Sequence, residues 1–500
     1  MLLSVLLPCA PIAPAWADAG AGSHARLDAY IRDRMEATGT PGLAYAVVAP
    51  EGTVHQRAWG TDGRGDPVTA RTPFLWGSVA KPIAATSVMA LVEEGVLGLD
   101  DRVVDHLPDF RFGGPEHAPQ VTVRHLLHQT AGIPASAVGA VDCLDADCPP
   151  PAARIGTLDA VDPLGPPGTE YAYSSTNYLV LAAVMESATG RSYAEHVRAT
   201  VFEPAGMDGA IADRASARTR GLAPGHQPLW GVPAPVADGV DDGGAVYGYT
   251  GGDLGDLAAF AAFQLRGAQT ADGEAVLTSE SVHLMREEGR LRPDGGGSGY
   301  GMGWRVGGLD APLDDAVWHT GASPGYSGML FLLPEQDRAL VVQQNLYALL
   351  QDRSVMQVGF GAARILAGAE PSVDAGSAPL HRAVVWCSTA LAVLMVVAAV
   401  RSLVLLRRPA GTASAWRRAV PAALVALAGA LPGAAVAAVV ATVGAAIPLV
   451  WVPDAWIALL VATAAGAVTV VAVIAGAARP RWRAAERAEP ARVPVETGER

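Results

Sequence analysis

Lysine is almost missing from this sequence of 500 residues: of 36 lysine and arginine side chains, Lys81 alone is a lysine. Asparagine is nearly as scarce, with only Asn177 and Asn345. Of four cysteines, only Cys143 and Cys148 fall in the segment read below as exported, and one pair in so long a stretch excludes a fold that depends on disulfides. An oxidising compartment would permit a small local bridge between them; two free thiols are the alternative. Positive charge is also short over residues 1–378, where 24 basic side chains face 44 acidic ones, a net of −20. That deficit argues against nucleic acid as a partner, because phosphate binding needs a basic surface.

The remaining residues reverse the balance. Residues 379–500 carry 12 arginines and 5 acids, a net of +7, interspersed with apolar runs. Three of these runs, residues 383–406, 420–450 and 455–478, are long enough to cross a hydrocarbon core of roughly 30 Å. Arg401 lies near one end of the first, where a long cation can snorkel to the interface. Pro432 and Pro448 interrupt the second. Arg407, Arg408, Arg417 and Arg418 stand between the first two runs, and Arg479, Arg481, Arg483 and Arg487 follow the third. The connection around Asp454 has no cation, so the positive-inside rule puts both basic segments, including the tail 479–500, in the cytoplasm. The expected location is therefore the plasma membrane, with everything before residue 383 on the outer side and the lipid bilayer as a partner. Residues 1–17 read as a signal sequence, with an apolar run and a small-x-small ending at Ala15-Trp16-Ala17, although a basic start is missing. Cys9 is a poor lipid-attachment site because Pro8 precedes it.

Between these ends, residues 24–366 mix helical and strand patterns without a repeat. Leu27, Tyr30, Ile31 and Met35 recur at helical spacing up to Gly39. LAYAVVAPEGTVHQRAWG reads as two strands around a Pro-Glu-Gly turn. Residues 83–94 and TNYLVLAAVMESATG read as helices stopped by Gly95 and Gly190, and GMLFLLPEQDRALVVQQN as a strand hairpin. Helices between an early and a late strand pair predict an α+β domain with a helical insertion. Residues 367–382 are a small-residue linker to the first apolar run.

The lone lysine stands in FLWGSVAKP, three residues after Ser78. The spacing alone is weak, since Arg26 and Arg417 also follow a serine by three. The chemistry is stronger. A serine hydroxyl needs a nearby base to attack at neutral pH. On a helix, positions i and i+3 share a face. Arginine does not give up its proton, whereas a desolvated lysine can be neutral and act as a base. Pro82 lacks an N–H and fits only the first turn of a helix, which places Ser78 where unpaired backbone N–H groups can hold an oxyanion.

Ser78-Val79-Ala80-Lys81 resembles the Ser-x-x-Lys motif of the serine β-lactamase and penicillin-binding protein superfamily, in particular class C β-lactamases, D-alanyl-D-alanine carboxypeptidases and related esterases. VTVRHLLHQTAGIP, PGTEYAYSSTNYLVL, GYGMGW and WHTGASPGYSGMLFLLPE resemble further landmarks of that superfamily, in the same order. The resemblance covers about residues 24–366. It implies an antiparallel sheet flanked by helices with a mainly helical subdomain, here followed by three transmembrane helices. It also implies a hydrolase that forms an acyl-enzyme on Ser78, with Lys81 and Tyr173 moving protons. Backbone N–H groups of Ser78 and Ala322 would form the oxyanion hole, and His319, Thr320 and Gly321 would bind substrate. No metal or organic cofactor is required.

One position departs from the pattern: Ser175 stands where Tyr-x-Asn has asparagine, a residue that normally bonds the lysine and the substrate's acyl side-chain amide. Asn177, two residues on, would face elsewhere and reads as structural. The substrate, small molecule or peptide, is thus left open between an ester, an amide, a D-amino acid peptide and a β-lactam. Two decoys are set aside. Gly321-Ala322-Ser323-Pro324-Gly325 matches G-x-S-x-G, but that elbow needs the N–H of the residue after the serine, and proline has none. His125 and His128, with His117 nearby, fix no third metal ligand. The rival from another class is a non-catalytic sensor that binds wall peptides or β-lactams and signals through the membrane helices.

Overall fold

The computed structural model describes residues 16–141, 143, 148–236, 241–287, 299–372, 377–408 and 415–478. Of the signal sequence expected over residues 1–17, residues 1–15, with Cys9, lie outside the described residues, as does the tail 479–500. The chain divides into two units, one of residues 1–383 with 442–454, the other of residues 384–441 with 455–500.

In the first unit, helix α1 (Trp16–Thr38) leads into strands β1 (Gly42–Ala49) and β2 (Gly52–Gly60). A mainly helical region follows, with α2 (Ala80–Glu93), α3 (Val123–Leu127), α4 (Ser175–Thr189) and α5 (Leu254–Leu265). The chain then returns to the sheet through β3 (Gly299–Tyr300), β4 (Arg305–Val306), β5 (Val317–Ser323), β6 (Tyr326–Leu333) and β7 (Arg338–Gln344), and closes with α6 (Asp352–Leu366). The sheet order is β2-β1-β7-β6-β5-β4-β3, antiparallel throughout.

All eight residues of β1 are buried, because helices cover both faces of the sheet and no polar alternation is called for. Side chains of a strand point alternately to opposite faces, and here they separate into two cores. Leu43, Tyr45 and Val47 join Leu27, Ile31, Phe331, Leu340, Val342 and Val358 beneath α1 and α6. Ala44, Ala46 and Val48 join Ile83, Leu181, Phe260, Leu330 and Val341 beneath the inserted helices. Helices α1 and α6 approach closely because Gly361 leaves room for the Tyr30 ring, whose hydroxyl donates to the Gln357 carbonyl at 3.1 Å. Cys143 and Cys148, left open between bridge and thiols, form a disulfide.

Three long apolar helices follow: α7 (Ala378–Leu406), α8 (Ala415–Val443) and, after the short helix α9 (Ala446–Trp451), α10 (Pro453–Ala478). Each is long and apolar enough to cross a membrane. The apolar run 420–450 is not one helix, as the sequence led us to expect. Gly444 takes φ +76°, a left-handed turn open to glycine, and ends α8 before Pro448, which belongs to α9.

Candidate active site

The turn that carries Ser78 is fixed by glycine. Gly77 has φ +56°, and a β-carbon there would collide with the backbone nitrogen of Ala322. A β-carbon on Gly321 would collide in turn with the carbonyl of Trp76 and the nitrogen of Ser78. Strand β5 can therefore run directly against the Ser78 turn, and the nitrogens of Ser78 and Ala322 come together at one place. Residues 77–79 form a single 3-10 turn that runs into α2, with Pro82 the third residue of that helix.

Lys81 lies on the first turn of α2 and is wholly buried. Its Nζ is 2.9 Å from Ser78 Oγ, 3.2 Å from Ser175 Oγ and 2.9 Å from the carbonyl of Tyr247. Burial drives its pKa well below that of an ordinary lysine, and the Arg305 guanidinium pushes the same way. The Tyr173 ring lies 4.9 Å from Nζ, which places its phenol beside Lys81 and Ser78. Burial raises that phenol to about 12, while Arg305 and the Ser78 side chain oppose the rise. Ser78, Lys81, Tyr173 and Ser175, singled out in the sequence, thus meet in one cluster.

His319 is buried, 1% exposed, with Nδ1 2.7 Å from the Thr320 carbonyl and Nε2 3.3 Å from the Tyr300 hydroxyl. A carbonyl only accepts, so the proton sits on Nδ1 and Nε2 accepts from Tyr300. Burial, then Arg305, then Lys81 hold this imidazole well below its usual pKa, that is, neutral. Thr320 and Ala322 are the partly exposed members of β5. The decoy Ser323 is 1% exposed, and its hydroxyl donates to the carbonyl of Gly248 at 2.5 Å. The three histidines considered for a metal are spread over separate backbone partners. His117 meets the Ala131 carbonyl, His125 caps α3 through Thr122, and His128 faces the Tyr300 carbonyl. Among the described residues, no group of three metal-ligating side chains is assembled.

Several partners escaped the sequence reading. The Tyr247 carbonyl is a backbone atom on the π-helical turn Ala245–Tyr249, and no side-chain pattern announces it. That turn is held by a buried ion pair: Arg154 donates to both Asp241 oxygens at 2.7 and 2.6 Å, and the Tyr247 hydroxyl donates to Asp241 Oδ2 at 3.1 Å. Arg305 directly follows the GYGMGW landmark. Its guanidinium stands over the rings of Tyr173, Tyr300 and Trp318 at 5.3, 5.8 and 5.5 Å, and makes no hydrogen bond or ion pair among the described residues.

An antiparallel sheet flanked by helices, with a serine turn pressed against one strand, is the arrangement of the serine β-lactamase and penicillin-binding protein fold. The chain belongs to the Beta-lactamase family, which it matches over residues 27–356, and is a serine hydrolase of that family. It is 33% identical over 325 residues to penicillin-binding protein 4 of Amycolatopsis lactamdurans, across 61% of this chain and 82% of that one. It is 36% identical over 207 residues to the esterase EstB of Burkholderia gladioli, across 37% of this chain but only 50% of the esterase. The octameric penicillin-binding protein homologue of Pyrococcus abyssi has the same fold, with a TM-score of 0.60, 24% identity, and coverage of 69% of this chain and 78% of that one.

Proposed function

We propose that the chain is a membrane-anchored hydrolase whose catalytic domain faces outward and which acylates Ser78. The observation that carries the reading is the set of partners around Lys81 Nζ. A neutral amine has two N–H bonds and one lone pair. The Tyr247 carbonyl and Ser175 Oγ can take the two N–H bonds, which leaves the lone pair for the Ser78 hydroxyl at 2.9 Å. Ser78 Oγ attacks the substrate carbonyl as its proton passes to Lys81, and the oxyanion is held by the N–H groups of Ser78 and Ala322. Tyr173, beside Ser78 and Lys81 and kept protonated by its raised pKa, relays protons between Ser78, Lys81 and the leaving group, recovering from Lys81 the one it gives up. Water then releases the acyl group by the reverse path. No step calls for a metal or cofactor.

The Arg305 guanidinium, without an ion-pair partner among the described residues, favours a substrate with a carboxylate beside the scissile bond. Such a group is found in peptides and β-lactams and is lacking in simple esters. Ser175 pulls the other way, because its hydroxyl has neither the reach nor the amide of asparagine. His319 and Thr320 line the same strand, with Gly321 giving the close approach. The basic residues between α7 and α8 support an outward-facing domain.

The test uses the full-length protein in detergent with two serine-directed reagents, a fluorescent penicillin and a fluorophosphonate. Wild type is expected to be labelled and Ser78→Ala not. Labelling by penicillin selects peptide or β-lactam substrates, and labelling by fluorophosphonate alone selects esters. Reaction with neither reagent overturns the hydrolase reading in favour of a sensor. A second expectation concerns pH. Arg305 lowers the Lys81 pKa, so Arg305→Gln lets it rise, and the neutral base is then lost at higher pH. The acid limb of the labelling rate should move upward in pH; an unmoved or lowered limb contradicts the assignment of Lys81 as base.

A further inference from the structure

The loop that carries Tyr173 does not hold itself. It lies along residues 129–134, where the Gly132 carbonyl accepts from Leu164 N–H at 2.9 Å and the Thr130 carbonyl from Gly168 N–H at 2.8 Å. The backbone N–H groups on the two sides of Tyr173 both go to one residue, while the Ser174 hydroxyl also donates to the Pro134 carbonyl at 3.0 Å. The Gln129 carbonyl accepts from Ala172 N–H at 2.9 Å, and Gln129 Oε1 accepts from Ser174 N–H at 2.9 Å. The same Oε1 also accepts from Asn177 Nδ2 at 2.6 Å, which ties the loop to the first turn of α4. A backbone N–H only donates, so the Gln129 atom facing Ser174 is its oxygen, and Asn177 must present its NH₂. Asn177 thus has the structural role read from the sequence.

Two further features set Gln129 apart. It is wholly buried, and its φ is +62°, left-handed for a residue with a β-carbon. Such a conformation persists only where the surroundings over-determine it, and it is typical of functional loops. Here it lets the carbonyl and the side-chain oxygen of one residue reach the N–H groups before and after Tyr173. Loss of the side-chain bond would leave Ser174 N–H buried without a partner and free Tyr173 to move from Ser78.

The geometry points to Gln129 as a positioning residue that holds the Tyr173 side chain beside Ser78 and Lys81. This inference rests on the proton-handling role proposed for Tyr173. A misplacement of about 1 Å in a reacting group costs on the order of 10²-fold in rate, so the side chain has a kinetic signature of its own.

The test measures the second-order rate of fluorophosphonate labelling of the full-length protein in detergent, for Gln129→Met, Gln129→Glu, Tyr173→Phe and the double variant Gln129→Met/Tyr173→Phe. Gln129→Met keeps the bulk and removes the acceptor; the expected loss is about 10- to 100-fold. Gln129→Glu keeps an acceptor oxygen toward Ser174 and Asn177 and should recover most of the rate. If Gln129 acts through Tyr173, the double variant should be no more than about threefold slower than Tyr173→Phe, because two changes along one path are not additive. A double variant that loses the full product of the two factors overturns the inference in favour of a general folding defect. Gln129→Met at the wild-type rate, with Tyr173→Phe slow, overturns it and leaves the role of Tyr173 standing. Tyr173→Phe at the wild-type rate overturns the role of Tyr173 and this inference together.

Discussion

Lys81→Arg will abolish acylation of Ser78, although the charge is conserved. Arginine effectively never deprotonates, so its guanidinium has no lone pair to take the serine proton. Size works in the same direction. Lys81 has no exposed surface, and its ammonium position is closed in by Ser78, Ser175 and the Tyr247 carbonyl. A planar group with five N–H donors finds three acceptors there and no solvent for the remainder. Loss of a positioned general base costs typically about 10²- to 10⁴-fold, and that fall is expected in the labelling rate. A Lys81→Arg protein labelled within about threefold of wild type would show that the amine does not act as the base, since so small a change falls below any general-base contribution. Lys81→Met separates charge from basicity: it should be equally inactive while folding normally, because it leaves no charge to bury.

Asp241→Ala will be among the most destabilising single changes in the catalytic domain. Arg154 and Asp241 have side chains that are 4% and 0% exposed, and they meet through two parallel hydrogen bonds. Removal of one partner of a buried pair leaves an uncompensated charge, at a cost of about 3–5 kcal/mol. The Tyr247 hydroxyl loses an acceptor in the same change, so the turn that offers its carbonyl to Lys81 loosens. Thermal unfolding of the full-length protein should show the loss of stability, and labelling should show a loss of rate at temperatures where the variant is still folded. Replacement of both partners, as Arg154→Met with Asp241→Leu, should recover much of the stability, because no charge then remains unpaired. If Asp241→Ala unfolds within about 1 kcal/mol of wild type, the pair does not carry the turn.

Legibility in the sequence followed locality. Strands β1 and β2 were read from an unbroken apolar run, a Pro-Glu-Gly turn and a second strand pattern, all within residues 42–60. The end of α4 was legible because Gly190, with φ +66°, can take the left-handed cap that other residues avoid. Ser78 and Lys81 were legible because one turn of helix joins them and because titration demands lysine there. Arg154 and Asp241 are 87 residues apart and look like any surface cation and acid until the fold buries them. The Tyr247 carbonyl is common to every residue. Within HLLHQTAGIP nothing marks a role for Gln129, because its bonds run 45 and 48 residues ahead to Ser174 and Asn177. The division of the second apolar run at Gly444 was missed because hydropathy continues across the break, while only the backbone angle records it.

The most direct test of the account is to find which residue the fluorophosphonate modifies, by mass spectrometry of peptides from the labelled full-length protein. A single adduct is expected on the peptide that contains Ser78, absent from Lys81→Met. An adduct on Ser323, in the Gly321–Gly325 elbow, or on any other residue while Ser78 stays unmodified, would contradict it.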